Sequence, residues 1–118
     1  MLNFNSVLYK ILGNRIKNRR EDLKINQTDL GEKVGIGRSS ITNIENGRQK
    51  PPLSIIYKIC RELDIDVHTI LPTYGEVEEI INSDNDKSSL KPYYEKYGLD
   101  ENLQREIDNL FNKNTDDI

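Results

Sequence analysis

Apolar residues recur through the first part of the chain at the short, regular intervals of amphipathic helices. The first such stripe consists of Leu8, Leu12, Ile16 and Leu23. Ser6 precedes the stripe and is a favourable N-cap, because its hydroxyl can accept a hydrogen bond from a free backbone N–H of the first turn. The pattern predicts a first helix from about Ser6 to Leu23.

A second, shorter helix is predicted to begin at Asn26, which is another residue type that caps helix N-termini. Leu30 and Val34 are spaced to face the core together, and Gly35 can take the positive φ that ends a helix. A third helix is predicted over residues 38–45. Two helices joined by a short turn that contains glycine form the helix-turn-helix arrangement.

The third predicted helix has one apolar edge and one polar edge. At about 100° per residue, counted from Arg38, Ile41 and Ile44 fall near 300° and 240°. The side chains between about 0° and 140° on the same scale are all polar: Arg38, Ser39, Thr42, Asn43 and Asn46. The apolar edge is predicted to face the core, and the polar edge carries hydrogen-bonding groups that suit the major groove of DNA.

Two further helices complete the predicted first domain, residues 1–72. The fourth has a core-facing stripe that consists of Leu53, Ile56, Ile59, Cys60 and Leu63. Cys60 is interpreted as a small buried apolar residue rather than a reactive thiol. Asp66 can cap a short fifth helix that Pro72 stops. An all-α fold is expected.

The remaining chain divides into an acidic linker, residues 73–89, which could hold a short helix, and a helical tail, residues 90–118. Asp100 can cap the last helix, whose apolar stripe consists of Leu103, Ile107, Leu110 and Phe111. Such a stripe needs a partner. It either folds back onto its own domain or pairs outside the chain, and the favoured prediction is that residues 90–112 bring a second copy.

The formal net charge of −3 conceals an uneven distribution. Residues 1–72 hold 12 Lys and Arg against 8 Asp and Glu, whereas residues 73–118 hold 5 against 12. A surface that binds phosphates must therefore lie in the first domain.

The available side chains argue against catalysis. With one Cys the chain can form no internal disulfide, and with a single His it has no Cys/His cluster for a metal site. No Ser/His/Asp or Cys/His catalytic set is expected, because Cys60 and His68 lie in segments that packing and capping explain. The chain also has no glycine-rich phosphate loop. We therefore predict a protein that is not an enzyme and needs no cofactor. No apolar run approaches the roughly 20 residues of a membrane span, so we expect no membrane partner and a cytoplasmic location.

Several short motifs occur together at characteristic spacing: Arg15-Ile16-Lys17 with Arg20, Asn26-Gln27, Val34-Gly35, Ile44-Glu45-Asn46-Gly47, and Pro51 before the fourth helix. In combination they resemble the phage repressor and Cro family of helix-turn-helix regulators, also called the xenobiotic-response-element (XRE) family. The resemblance covers residues 13–71. It implies a five-helix lambda-repressor-like DNA-binding domain, here with a helical C-terminal extension.

The resemblance also implies roles for individual residues. Arg38, Ser39 and Asn43 match positions that reach base edges in double-stranded DNA, and Thr42 lies on the same face by the helix angles. Arg20 and Glu45 match an internal ion pair that ties the first helix to the end of the third.

A second group is expected to hold the DNA backbone: Gln27, Ser40, Asn46, Arg48 and Lys50. The family often has Gly where this chain has Lys24, so Lys24 must adopt a left-handed conformation or the turn must shift.

Two functions remain open. The first is a sequence-specific transcriptional regulator, a dimeric repressor that reads a two-fold operator through the third helix. The second is an antitoxin or other interaction protein whose tail binds a protein partner and whose DNA domain only autoregulates.

Overall fold

The described part of the chain is α-helical, and short turns and loops join its first six helices. The computed structural model describes residues 3–82, 95–96 and 98–116, with side chains only as far as residue 110. The helices, in chain order, are α1 (Phe4–Asp22), α2 (Gln27–Val34), α3 (Arg38–Glu45), α4 (Leu53–Glu62), α5 (Val67–Ile70), α6 (Tyr74–Asn82) and α7 (Glu101–Asp116). The predicted all-α class is confirmed.

Helix α1 differs from its prediction at its start and on its buried side. Asn3 rather than Ser6 is the N-cap, since Asn3 Oδ1 accepts the backbone N–H of Ser6 at 2.7 Å. Leu23 is 38% exposed, whereas Val7 and Ile11, outside the predicted stripe, are fully buried. Because α1 has neighbours on more than one side, tertiary contacts decide which of its apolar residues are covered.

The first apolar cluster is built from α1 to α5 and supports the helix-turn-helix unit. Its buried members are Leu12, Ile16, Leu30, Val34, Ile41, Ile44, Ile56, Ile59, Cys60, Leu63 and Ile70. Cys60 is buried as predicted. Loss of solvation in this cluster, with a smaller effect from the charge of Asp66, raises the pKa of the Cys60 thiol.

The second apolar cluster joins the N-terminal half of α1 to α6 and α7. Its buried members are Val7, Ile11, Val77, Ile80, Leu99, Leu103 and Ile107. Helix α1 therefore contributes to both clusters and is the element that connects the helix-turn-helix unit to the C-terminal helices.

The assignment of Leu103 and Ile107 to a dimer or partner surface is wrong, because both side chains are 0% exposed inside their own chain. Leu110 is partly buried against the same cluster. The described part of the stripe folds back, the less favoured of the two alternatives, because α1 and α6 leave an apolar face that α7 covers. The Phe111 side chain and the tail residues Leu90, Tyr93, Tyr94 and Tyr97 lie outside the described residues.

Polar contacts reinforce this packing. Arg15 on α1 forms a 2.7 Å ion pair with Glu76 on α6. Asp100 caps α7, as predicted, by accepting the Leu103 N–H at 2.8 Å, and its other oxygen accepts Asn18 Nδ2 from α1 at 2.9 Å. The C-terminal helices are thus attached to α1 by both apolar and polar groups.

Two turns in the first domain share one geometry. Lys24 has φ +58° after α1, and Asp64 has φ +48° after α4. In each case the next residue donates its N–H back into the helix, Ile25 to Arg20 O and Ile65 to Cys60 O, both at 3.1 Å. These are Schellman turns without glycine. Lys24 therefore adopts the left-handed conformation, one of the two predicted outcomes.

Candidate nucleic-acid interface

Helices α2 and α3 meet at a turn that depends on glycine. Gly35 has φ +89°, and its N–H donates to Gly31 O at 2.8 Å. The N–H of Ile36 reaches the same carbonyl at 2.9 Å. A Cβ on Gly31 would lie 2.7 Å from Ile36 O, so the turn packs directly on the backbone of α2. This contact sets how α3 leaves the turn.

The four residues predicted to contact bases lie together on α3. Arg38 and Ser39 are exposed, and Thr42 and Asn43 are half-buried. Together they line a surface depression of about 390 Å³. Opposite this face, Ile41 and Ile44 are buried in the first apolar cluster. The apolar edge therefore anchors α3 to the core while its polar side chains stay accessible.

Beneath this face lies a buried ion pair. Arg20 Nε and Nη2 donate to the two carboxylate oxygens of Glu45 at 2.7 and 3.0 Å, and Nη1 donates to Ile25 O at 2.8 Å. Glu45 is 4% exposed. The hydrogen bond to Glu45 outweighs the opposing effect of burial and raises the pKa of Arg20. The pair joins α1 to the last turn of α3.

Gln27 connects this ion pair to the polar face. Its Nε2 donates to Glu45 Oε1 at 3.1 Å, and its Oε1 lies 3.0 Å from the Thr42 hydroxyl. Gln27 is the first residue of α2 and is half-buried. The sequence predicts separate backbone and base contacts for Gln27 and Thr42, and the local pattern gives no signal for the hydrogen bond between them.

The segment after α3 bends back toward α1. Asn46 is the C-cap of α3, and Gly47 follows with φ +74°. Lys10 Nζ donates to Asn46 O at 2.8 Å, and a Cβ on Gly47 would lie 3.1 Å from Lys10 Cα. The exposed side chains of Arg48 and Lys50 project from this supported loop.

The sequence does not identify Lys10 and Tyr9 of α1 as residues that contact the loop after α3. Lys10 holds the loop through the Asn46 carbonyl and also lies 4.0 Å from Glu106 on α7. The Tyr9 ring lies under the Lys50 ammonium, with 5.8 Å from Nζ to the ring centroid. Neither contact has a local signal, because the partners are far apart in sequence. Ser40, predicted to hold the DNA backbone, lies outside the depression and is half-buried.

Neither a metal site nor a membrane-spanning helix is found among the described residues. No group of three or more His, Cys, Asp and Glu side chains is placed to hold a metal ion there. Among the described helices, none is both long enough and apolar enough to cross a membrane.

Comparison with known proteins matches the helix-turn-helix segment of the chain to transcriptional regulators. A helix-turn-helix family model matches residues 16–70. The transcriptional regulator SinR of Bacillus subtilis is 33% identical over 69 residues, which cover 58% of this chain and 62% of SinR. The chain therefore matches less than two thirds of that relative's length.

Two proteins of Bacillus phage phi105 are also similar. The ImmF control region 10 kDa protein is 30% identical over 70 residues, which cover 59% of this chain and 78% of that protein. The immunity repressor protein is 37% identical over 60 residues, which cover 51% of this chain and 42% of the repressor.

The fold also resembles a solved structure, the clp gene regulator ClgR from Corynebacterium glutamicum. The TM-score is 0.56 at 17% identity, and the superposition covers 79% of this chain and 96% of ClgR. At that identity the similarity supports the fold alone.

Proposed function

The chain belongs to the phage repressor and Cro (XRE) family of helix-turn-helix DNA-binding regulators, and from that premise we propose that it represses transcription by binding a two-fold operator as a dimer. The observation that carries the proposal is the accessible polar face of α3 on a buried apolar edge. Arg38, Ser39, Thr42 and Asn43 line one depression there. A helix of this kind fits the major groove of B-DNA.

The side chains on this face match the chemistry of base edges. Arg38 is exposed in the first turn of α3, where its planar guanidinium can bond to guanine O6 and N7 together. Asn43 can pair in the same bidentate way with adenine N6 and N7. Each such pair discriminates against the wrong base by about 1–3 kcal/mol. Ser39 is less selective, because a hydroxyl both donates and accepts.

Contacts to the DNA backbone are proposed for the residues around this face. Gln27 begins α2, where free N–H groups and the helix dipole favour a phosphate. Ser40, Asn46, Arg48 and Lys50 supply further donors. The excess of cations in residues 1–72 supports this arrangement. Backbone contacts set the register on the duplex but carry no sequence information.

A dimer is proposed because one α3 covers only a few base pairs. Two copies would place their helices on half-sites roughly 34–36 Å apart. Burial of Leu103 and Ile107 means that this pair does not supply the dimer contact. The same burial removes Leu103 and Ile107 from any contact with the protein partner of an antitoxin. Repression is the better proposal because the polar face of α3 favours it independently of the tail.

Selection of bound sequences from a random DNA pool at fixed salt tests the proposal. Wild type should enrich a two-fold motif, and Arg38→Ala with Asn43→Ala should lose that preference while retaining weak binding to any duplex. Arg61→Ala is the matched control, since it removes an exposed arginine from α4, outside the proposed interface. Unchanged enrichment by the Arg38/Asn43 variant would contradict the assignment of α3.

A further inference from the structure

We propose that Thr42 reads DNA only as a hydrogen-bond acceptor, so that the base facing it is selected by an exocyclic amino group, adenine N6 or cytosine N4. Gln27 is then a positioning residue for base reading as well as a backbone contact. The inference rests on the proposed function, because it assumes that α3 lies in the major groove. The supporting observation is a series of hydrogen bonds that connects Arg20 to Thr42 through Glu45 and Gln27, in which each donor and acceptor can be assigned.

The buried carboxylate of Glu45 sets the donor and acceptor roles in this series of hydrogen bonds. Glu45 receives two N–H groups of Arg20, at 2.7 and 3.0 Å, so both of its carboxylate oxygens act as acceptors in the ion pair. An ionised carboxylate has no proton to donate. Gln27, 3.1 Å from Glu45 Oε1, must therefore present its amide nitrogen to Glu45. The reverse orientation would place two acceptor oxygens against each other.

With its nitrogen on Glu45, Gln27 presents its carbonyl oxygen to Thr42. The distance from Thr42 Oγ1 to Gln27 Oε1 is 3.0 Å. Two oxygens at that distance need one proton between them, and the amide carbonyl has none, so the Thr42 hydroxyl donates. A second acceptor, Arg38 O, lies at 3.1 Å within α3. For either acceptor, the single hydroxyl proton stays inside the protein.

The bases differ in the hydrogen-bond donors and acceptors that they present in the major groove. Guanine presents only acceptors there, O6 and N7, and thymine presents the acceptor O4 beside its methyl group. Adenine and cytosine present amino groups that donate. Thr42 retains lone pairs but no free proton, so its hydroxyl can bond adenine or cytosine and not guanine. Without Gln27, only Arg38 O competes for that proton inside the protein, so the hydroxyl turns outward more often and donates to the acceptors of guanine or thymine.

Burial strengthens the hydrogen bonds that fix the orientation of Gln27 and Thr42. Arg20 and Glu45 are 9% and 4% exposed, so water competes little for their hydrogen bonds. Thr42 itself is half-buried and lines the depression shared with Arg38 and Asn43, which leaves its outer side open to a base.

The test is random-pool selection with wild type and with Thr42→Val, Thr42→Ser and Gln27→Leu. The position whose base preference changes in Thr42→Val identifies the base that faces residue 42. Wild type and Thr42→Ser should favour adenine or cytosine there, by roughly three- to tenfold over Thr42→Val. Gln27→Leu should shift the preference at that same position toward guanine or thymine, although it also weakens binding overall.

If Gln27 only held a phosphate, its replacement would weaken binding equally for every sequence and would leave the base preference unchanged. The inference is overturned if Gln27→Leu leaves the preference at that position unchanged, if Thr42→Val changes no position, or if wild type prefers guanine there. If wild type enriches no motif at all, the proposed function itself fails. Urea unfolding of each variant verifies folding, and Gln27→Met replaces Gln27→Leu if the latter is unstable.

Discussion

At the scale of single residues, Gly13 marks the closest approach of two helices. A Cβ there would lie 2.6 Å from the Glu45 carbonyl oxygen and 2.8 Å from the Glu45 carbonyl carbon. Because these are backbone atoms, α1 and α3 would have to separate. We expect Gly13→Ala to lower the free energy of unfolding by about 1–3 kcal/mol, measured by urea denaturation.

Gly75 provides the matched control for this substitution. It lies within α6, and a Cβ there would meet only Thr73 Oγ1, at 3.9 Å. Gly75→Ala should be neutral or stabilising by up to about 1 kcal/mol, because alanine favours the helix. Equal effects of the two substitutions would contradict the close contact at Gly13.

Lys24 carries backbone strain that glycine would relieve. Its φ of +58° lies in the left-handed region, which costs a residue with a Cβ about 1–2 kcal/mol. Its side chain is exposed. Lys24→Gly should therefore raise the free energy of unfolding by up to about 1 kcal/mol, after the greater chain entropy of unfolded glycine is subtracted.

Urea denaturation measures this change, and Lys24→Ala serves as the control. Alanine removes the same charge but keeps the strain, so its stability should remain near that of wild type. A similar gain from alanine would show that charge, rather than the left-handed backbone, limits stability at this turn.

At the scale of elements, Asp100 attaches the start of α7 to α1. Desolvation acts to raise the pKa of Asp100, but hydrogen bonds from the Leu103 N–H, Asn18 and Asn14, with the charge of Lys17, together lower it below its ordinary value. A lowered pKa means that the folded state favours the carboxylate. This contribution to stability is present above the unfolded pKa of about 3.9 and is lost as pH falls through the folded value.

Asp100→Asn tests this contribution because asparagine keeps the N-cap but not the charge. Wild type should be more stable than the variant at pH 7, and the difference should shrink as the pH falls below about 4. Urea unfolding at pH 7, 5, 4 and 3 measures it. A difference that grows on acidification would contradict the assignment.

At the scale of the whole molecule, α7 is part of the core of its own chain. Leu103→Ala should lower the free energy of unfolding by about 2–5 kcal/mol, because it opens a cavity in the second apolar cluster. The oligomeric state in sedimentation should stay that of wild type. Asn102→Ala, at an exposed position on the same turn, should change neither quantity.

The prediction that this stripe joins two copies requires the opposite result. Leu103→Ala would then dissociate the protein with little loss of stability within one chain. Measuring stability and mass on the same samples separates the two outcomes.

Much of the fold and of the candidate site could be predicted from sequence because the signals are local. The Asn26 cap, the Gly35 turn and the alternation of Ile41 and Ile44 with polar residues each depend on neighbours within one or two turns of helix. Helix boundaries were less accurate, as at α1, because Asn3 and Ser6 offer competing caps. The grouping of Arg38 with Ser39, Thr42 and Asn43 follows from the helical period alone.

Only the tertiary structure decided which surfaces meet. An amphipathic stripe such as that of α7 has the same pattern whether it covers its own domain or another chain, and the complementary face of α1 and α6 resolved the choice. The hydrogen bond between Gln27 and Thr42 spans 15 positions, and the ion pair beneath it spans 25. The sequence by itself therefore determined which side chains α3 presents, whereas packing determined how those side chains are held, because periodicity reports local geometry and not the partner across the core.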